Sequence, residues 1–194
     1  MSDLPDKDHS RVVNHTLAPP VGTFQLDRVH TFVAFRAQHL AVGRVRGRFE
    51  DVTGTIVVAE DLTQSTVEVE IATASVTTLN SDRDADIRSE HYLDVARCPT
   101  ITFRSTRAAE STSGTWLVTG DFTLHGVTNP VQLPVAFGGP TADAYGINRV
   151  AFHTEPSITR KDYGLTFELL KEAGTPLAGR DTAIQIDPQA IRSQ

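Results

Sequence analysis

One cysteine, Cys98, is present in 194 residues, so no disulfide can form within the chain. Long apolar runs are also missing. A helix needs about 18 consecutive apolar residues to cross a bilayer, and no segment supplies them. The N-terminus lacks the basic start and apolar core of a secretory signal, which points to the cytoplasm rather than to export. Basic runs and nucleic-acid-binding motifs are absent, and the formal charge of −6 gives no general pull toward nucleic acid or anionic membranes. No G-x-S-x-G elbow, C-x-x-C pair or glycine-rich phosphate loop occurs, and no two histidines have the i, i+4 helical spacing of a zinc protease. Nucleophilic catalysis, a metal centre and a resident cofactor are therefore not expected. Cys98, just before Pro99, reads as structural.

What is present is alternation. Residues 66–71, 101–105, 116–124 and 131–137 place apolar and polar side chains in turn, the period that puts one set on a single face of a pleated strand. Runs at 23–28, 31–38, 44–50, 53–59, 149–159 and 182–187 fit the same rhythm. Turn signals fall at Thr53-Gly54, Ser113-Gly114, Gly126 to Pro130, Gly138-Gly139-Pro140 and Tyr145-Gly146. Many strands with short connections mean an antiparallel sandwich or barrel. Two short helical insertions are expected, near 80–95 and at 166–173, the second stopping at Gly174. Residues 1–20 are polar and end in Pro19-Pro20, which reads as a flexible tail before one soluble domain over 21–194.

Two charged clusters stand beside strands, Asp82-Arg83-Asp84 and Arg160-Lys161-Asp162. An arginine there either grips an anionic head group with two parallel hydrogen bonds or pins a loop through an ion pair. The aromatic residues Phe32, Phe35, Phe49, Phe103, Trp116, Phe122, Phe137 and Phe152 either fill a core or line a cavity, since a barrel of about eight strands is wide enough for a small ligand.

The colinear segments Phe24-Gln25-Leu26-Asp27-Arg28-Val29-His30, Ala74-Ser75-Val76-Thr77-Thr78 with Arg83-Asp84, Pro99-Thr100-Ile101-Thr102-Phe103, Gly120-Asp121-Phe122-Thr123-Leu124-His125-Gly126 and Ile158-Thr159-Arg160-Lys161-Asp162-Tyr163-Gly164 resemble the YceI-like family of polyisoprenoid-binding proteins. The likeness covers about 22–190. It departs from the family where a histidine usually follows two residues after Arg-Asp; Asp86 stands there instead. The resemblance implies an all-β, antiparallel, lipocalin-like barrel of about eight strands. It also implies a long isoprenoid, quinone or fatty-acid derivative held inside for transport or storage, and a homodimer. An apolar tail would then lie against Phe35, Phe49, Phe103, Trp116, Phe122 and Phe152. His39, Arg83 and Arg160, near the barrel ends, are candidates for the head group. The alternative is an enzyme acting on such a lipid in the same cavity, which would need a base and a nucleophile side by side.

Overall fold

Strands form where the sequence alternates. The computed structural model describes residues 11–13, 16–40, 42–111, 115–142, 147–166 and 178–193. In chain order the strands are β1 (Arg11–Val13), β2 (Thr16–Ala18), β3 (Gly22–Leu26), β4 (Phe32–His39), β5 (Gly43–Phe49), β6 (Val52–Val58), β7 (Thr66–Ala72), β8 (Val76–Thr77), β9 (Thr100–Glu110), β10 (Trp116–Leu124), β11 (Val127–Ala142), β12 (Asn148–His153), β13 (Ser157–Thr159), β14 (Ala178–Asp187) and β15 (Gln189–Arg192). One α-helix, α1 (Ser81–Arg88), occurs among the described residues, and it is too short to cross a membrane.

Eight strands close an antiparallel barrel in the order β10-β11-β12-β15-β3-β6-β7-β9. Five others form a second sheet, β13-β14-β4-β5-β8. The two orders correspond. Each strand of the second sheet continues, across a short break, one of five neighbouring barrel strands: β12 into β13, β14 into β15, β3 into β4, β5 into β6 and β7 into β8. Five of the eight barrel strands are thus extended upward as a curved sheet. The open side of that extension is closed by α1, by the turns at 89–98 and by a 3-10 turn at Arg160–Tyr163. Across one gap, Asn129 donates to the Asp162 carbonyl at 2.8 Å, and Tyr163 meets Phe122 edge-on at 5.5 Å.

The breaks lie at one level and form a polar seam, because interrupted strands leave backbone groups that need partners. Asp27 is its best-tied residue. Its carboxylate accepts from Arg149 on β12, from the Val29 N–H at 3.0 Å and from His30 at 2.8 Å. Burial alone would raise this carboxyl; the bonds from Arg149, His30 and Val29 outweigh it and hold the pKa at about 2.

Helix α1 sets one apolar side chain, Ile87, against the core, and the rest of its attachment is polar. Asn80 caps it, accepting from the Arg83 N–H at 2.9 Å. Asp84 faces inward, and Oδ1 accepts from the Thr78 N–H at 2.7 Å and the Thr78 hydroxyl at 2.5 Å, while Oδ2 takes the Thr77 hydroxyl at 3.1 Å. Arg88 donates to the carbonyls of Ala74 and Val76. The expected Arg–Asp loop pin is therefore a carboxylate–threonine clamp with arginines bonded to backbone carbonyls.

Several expectations change. Gly54 lies inside β6 opposite Val69, not in a turn. The turn at Gly126 is confined to His125 and Gly126, and Thr128 to Pro130 are already in β11. Gly138 to Pro140 lie within β11 at a bulge, where Gly139 takes a φ of 108°. Pro130 and Pro134 are tolerated because that half of β11 pairs only with β10, leaving its other edge without ladder bonds to lose. The second half of the supposed tail packs on the barrel. β1 pairs with β2, Arg11 donates to the carbonyls of Ala59 and Glu60, and Ala18 is fully buried. The turns at 113–114 and 145–146, the tail up to residue 10 and, beyond Thr166, the helix expected at 166–173 lie outside the described residues.

Two outcomes follow. The Asp27 pKa is lowered on folding, so its contribution is present above the unfolded value and disappears as pH falls through the folded one. Asp27→Asn should cost on the order of 1–2 kcal/mol in urea unfolding at pH 7, allowing for partial solvation, with the gap narrowing from about pH 4 to about pH 2. Asp84→Ala leaves the Thr78 donors without an acceptor and should cost about 2–3 kcal/mol, with faster amide exchange confined to 81–88.

Candidate functional site

The inward face of each strand is apolar, yet the side chains do not meet in the middle. They enclose a cavity of about 1070 Å³, above the roughly 300–1,000 Å³ usual for small-molecule sites. It runs through both the barrel and its extension. The 16 residues from Gly43 to Val58 span roughly 50 Å of strand, or roughly 40 Å along the axis at a tilt of about 40°.

Phe35, Phe49, Phe103, Trp116, Phe122 and Phe152 all line this space. Phe32 is instead exposed, and Phe137 packs behind Phe152 at 5.4 Å. Two glycines explain why the rings do not fill the lumen. Phe35 pairs across the strands with Gly47, and a Cβ on Gly47 would sit 2.4 Å from the Phe35 ring. Phe103 lies over Gly120 in the same way, its ring 2.6 Å from where that Cβ would be. Each ring lies along the wall because the residue beneath it has no side chain.

One end is shut. Pro19, Leu62 and Trp116 line the floor, beside the buried Ala18, and the Trp116 indole N–H donates to the Leu17 carbonyl at 3.3 Å. The N-terminal hairpin thus acts as a plug. Leu62 comes from a 3-10 turn that Asp61 caps, accepting from the Thr63 N–H at 2.9 Å.

The other end carries the charge. His39, Arg44, Asp82, Arg83, Asp86, Tyr92 and Arg160 border the mouth. The three residues that the sequence nominated for a head group are therefore brought to one place from β4, α1 and the 3-10 turn after β13. Arg83 is held by Thr78, its Nε donating to the hydroxyl at 2.8 Å and Nη2 to the carbonyl at 3.1 Å. Arg160 is buried and donates to the Gly179 carbonyl at 3.2 Å. Burial and the nearby Asp86 carboxylate push the Tyr92 phenol above its ordinary value, against a smaller opposing pull from Arg160. Asp86 thus faces the mouth. Asp84 does not: its oxygens are taken up by Thr77 and Thr78.

Arg44, Asp86, Tyr92 and the plug residues were not nominated by the sequence. Arg44 sits in a plain alternating strand, and only its place beside the hairpin end brings it to the rim. For the plug, the apolar Leu17-Ala18-Pro19 inside a polar stretch was the available signal.

The YceI-like domain family matches residues 24–190. A Salmonella newport protein named YceI is 39% identical over 142 residues, covering 72% of this chain and 73% of its own. A protein of Pseudomonas syringae pv. syringae named UPF0312 protein is 37% identical over 137 residues, covering 70% and 71%. Among solved structures, BcnA of Burkholderia cenocepacia superimposes with a TM-score of 0.74 at 17% identity, covering 84% of this chain and 98% of that one. A domain of Saccharophagus degradans described as polyisoprenoid-binding does so at 0.66 and 16%, covering 88% and 98%. At these identities the structural likeness speaks for the fold alone. The family match over most of the chain, together with the curated relatives, places this protein in the YceI-like family.

Proposed function

We propose that the protein binds a long apolar lipid tail along the barrel axis, closed end first, and carries or stores it away from water. The observation that carries this reading is the cavity: long, apolar for most of its length, plugged at one end and charged at the other. The polyisoprenoid-binding description of the Saccharophagus degradans domain supports the same ligand class.

Burial of methylene groups supplies the energy. Ten of them contribute roughly 8 kcal/mol, against about 4–15 kcal/mol lost in freedom on association. A short tail barely offsets that loss, so affinity should rise with chain length until the floor is reached. Phe35, Phe49, Phe103, Phe122, Phe152 and Trp116 line the path, in the reading proposed here, and offer polarisable faces without demanding polar partners. His39, Arg83 and Arg160 would meet a phosphate, carboxylate or quinone oxygen at the mouth. No base and nucleophile pair is needed for this role.

Three experiments test it. Organic extraction and mass spectrometry of the purified protein should release an apolar molecule, and repeated extraction of nothing would count against the reading. Trp116 is the single tryptophan and sits at the floor. Titration with prenyl alcohols of increasing length should therefore change its emission only once the tail is long enough to reach it. Ala108 faces the same end, opposite Val118. Ala108→Phe should shift the preferred tail to a shorter length, and an unchanged preference would place the tail elsewhere.

A further inference from the structure

The outer face of the β4–β5 hairpin carries a feature that tail binding does not use. Between Phe32 and Phe49 there are four arginines, Arg36, Arg44, Arg46 and Arg48, and no carboxylate, in a chain whose formal charge is −6. All four are exposed. Arg36 lies directly opposite Arg46 in the ladder, an arrangement of like charges that destabilises a sheet. Only Arg48 has a carboxylate partner, Glu50 at 2.7 Å. Among the described residues, the side chains of Arg36, Arg44 and Arg46 make no ion pair or hydrogen bond. The acid nearest in the neighbouring strand, Asp181, accepts from Thr159 at 2.9 Å and lies 3.9 Å from Arg180.

The same hairpin ends in exposed aliphatic side chains. Val42 is 93% exposed, and Leu40 is also exposed with a φ of 49°. Leu79, 90% exposed, follows β8, whose pairing with β5 carries it toward the register of Arg46. Unpaired arginines behind an apolar tip are the pattern of a segment that meets an anionic lipid surface, charge to head groups and aliphatics into the acyl boundary. The tip stands at the rim, since Arg44 and His39 border the mouth.

We propose that the β4–β5 hairpin docks the protein, mouth first, on an anionic bilayer. This rests on the tail-binding reading and gives it a route: a tail drawn from a membrane through an apposed mouth does not cross water. The chain's formal charge of −6 opposes that of this face, so the hairpin's cluster of arginines favours one orientation of the encounter.

The test is flotation of the full chain with vesicles of phosphatidylcholine, alone or mixed with phosphatidylglycerol. Binding should require the anionic lipid and weaken as salt rises. Arg36→Gln/Arg46→Gln should reduce partitioning by about tenfold or more, and Val42→Asp should reduce it too. Arg36→Lys/Arg46→Lys, which keeps the charge, should retain it. Equal binding to both vesicle types, or no effect of the glutamine pair, would overturn the proposal. So would binding to soluble heparin as strong as binding to the anionic vesicles. Uptake of a prenyl alcohol long enough to change Trp116 emission, measured without vesicles, should be unchanged in the Arg36→Gln/Arg46→Gln variant. In the unaltered chain, uptake without vesicle binding removes only the membrane inference, and vesicle binding without uptake removes only tail binding.

Discussion

A hydrocarbon tail can be kept from water only behind a wall whose own polar backbone is satisfied. In a β-sheet that condition is met by closure, since every strand then has a neighbour on both sides. Closure of eight strands fixes a width, and the cavity's length must come from extending the strands rather than adding more. Here five strands are extended and three are not. The seam where they break therefore carries the structural burden, and the acids and threonines along it supply the partners that a regular ladder would have provided.

The upper wall follows from that choice. A half-extended barrel has an open flank, and this chain covers it with polar attachments. Helix α1 is clamped through Asp84 to Thr77 and Thr78, with Arg88 on two carbonyls. The 3-10 turn at Arg160–Tyr163 is tied to β11 through Asn129. Both attachments place arginines at the rim, so one set of contacts closes the wall and charges the mouth. The interior needed the opposite treatment. Rings that would have met across the lumen lie flat over Gly47 and Gly120, and the space stays open.

Charge and apolar surface are thus segregated along one axis. The floor, around Trp116, Leu62 and Pro19, is apolar and plugged. The mouth, around His39, Arg83, Asp86 and Arg160, is polar and accessible. The hairpin beside it is cationic, against the sign of the chain as a whole.

The sequence by itself determined the family and most of the strands, though not β1, β2 and β8. A period of two is local, and 116–124, for one, is a strand with the bounds its alternation indicates. It also nominated the six aromatic residues and three polar residues that border the cavity, though not what each does there. Tertiary structure decided the rest. Whether Phe103 fills a core or lines a lumen depends on Gly120, a residue of another strand brought beneath it by a bulge between Thr119 and Gly120. Whether residues 11–13 and 16–20 hang free or plug the floor depends on Trp116 and on the carbonyls at 59 and 60. Gly54 and Gly138-Gly139-Pro140 carried turn signals that strand pairing overrode, because backbone bonds from two neighbours outweigh a local preference. Side-chain patterning is written residue by residue; the partners that give it meaning are far away in sequence, and only folding sets them side by side.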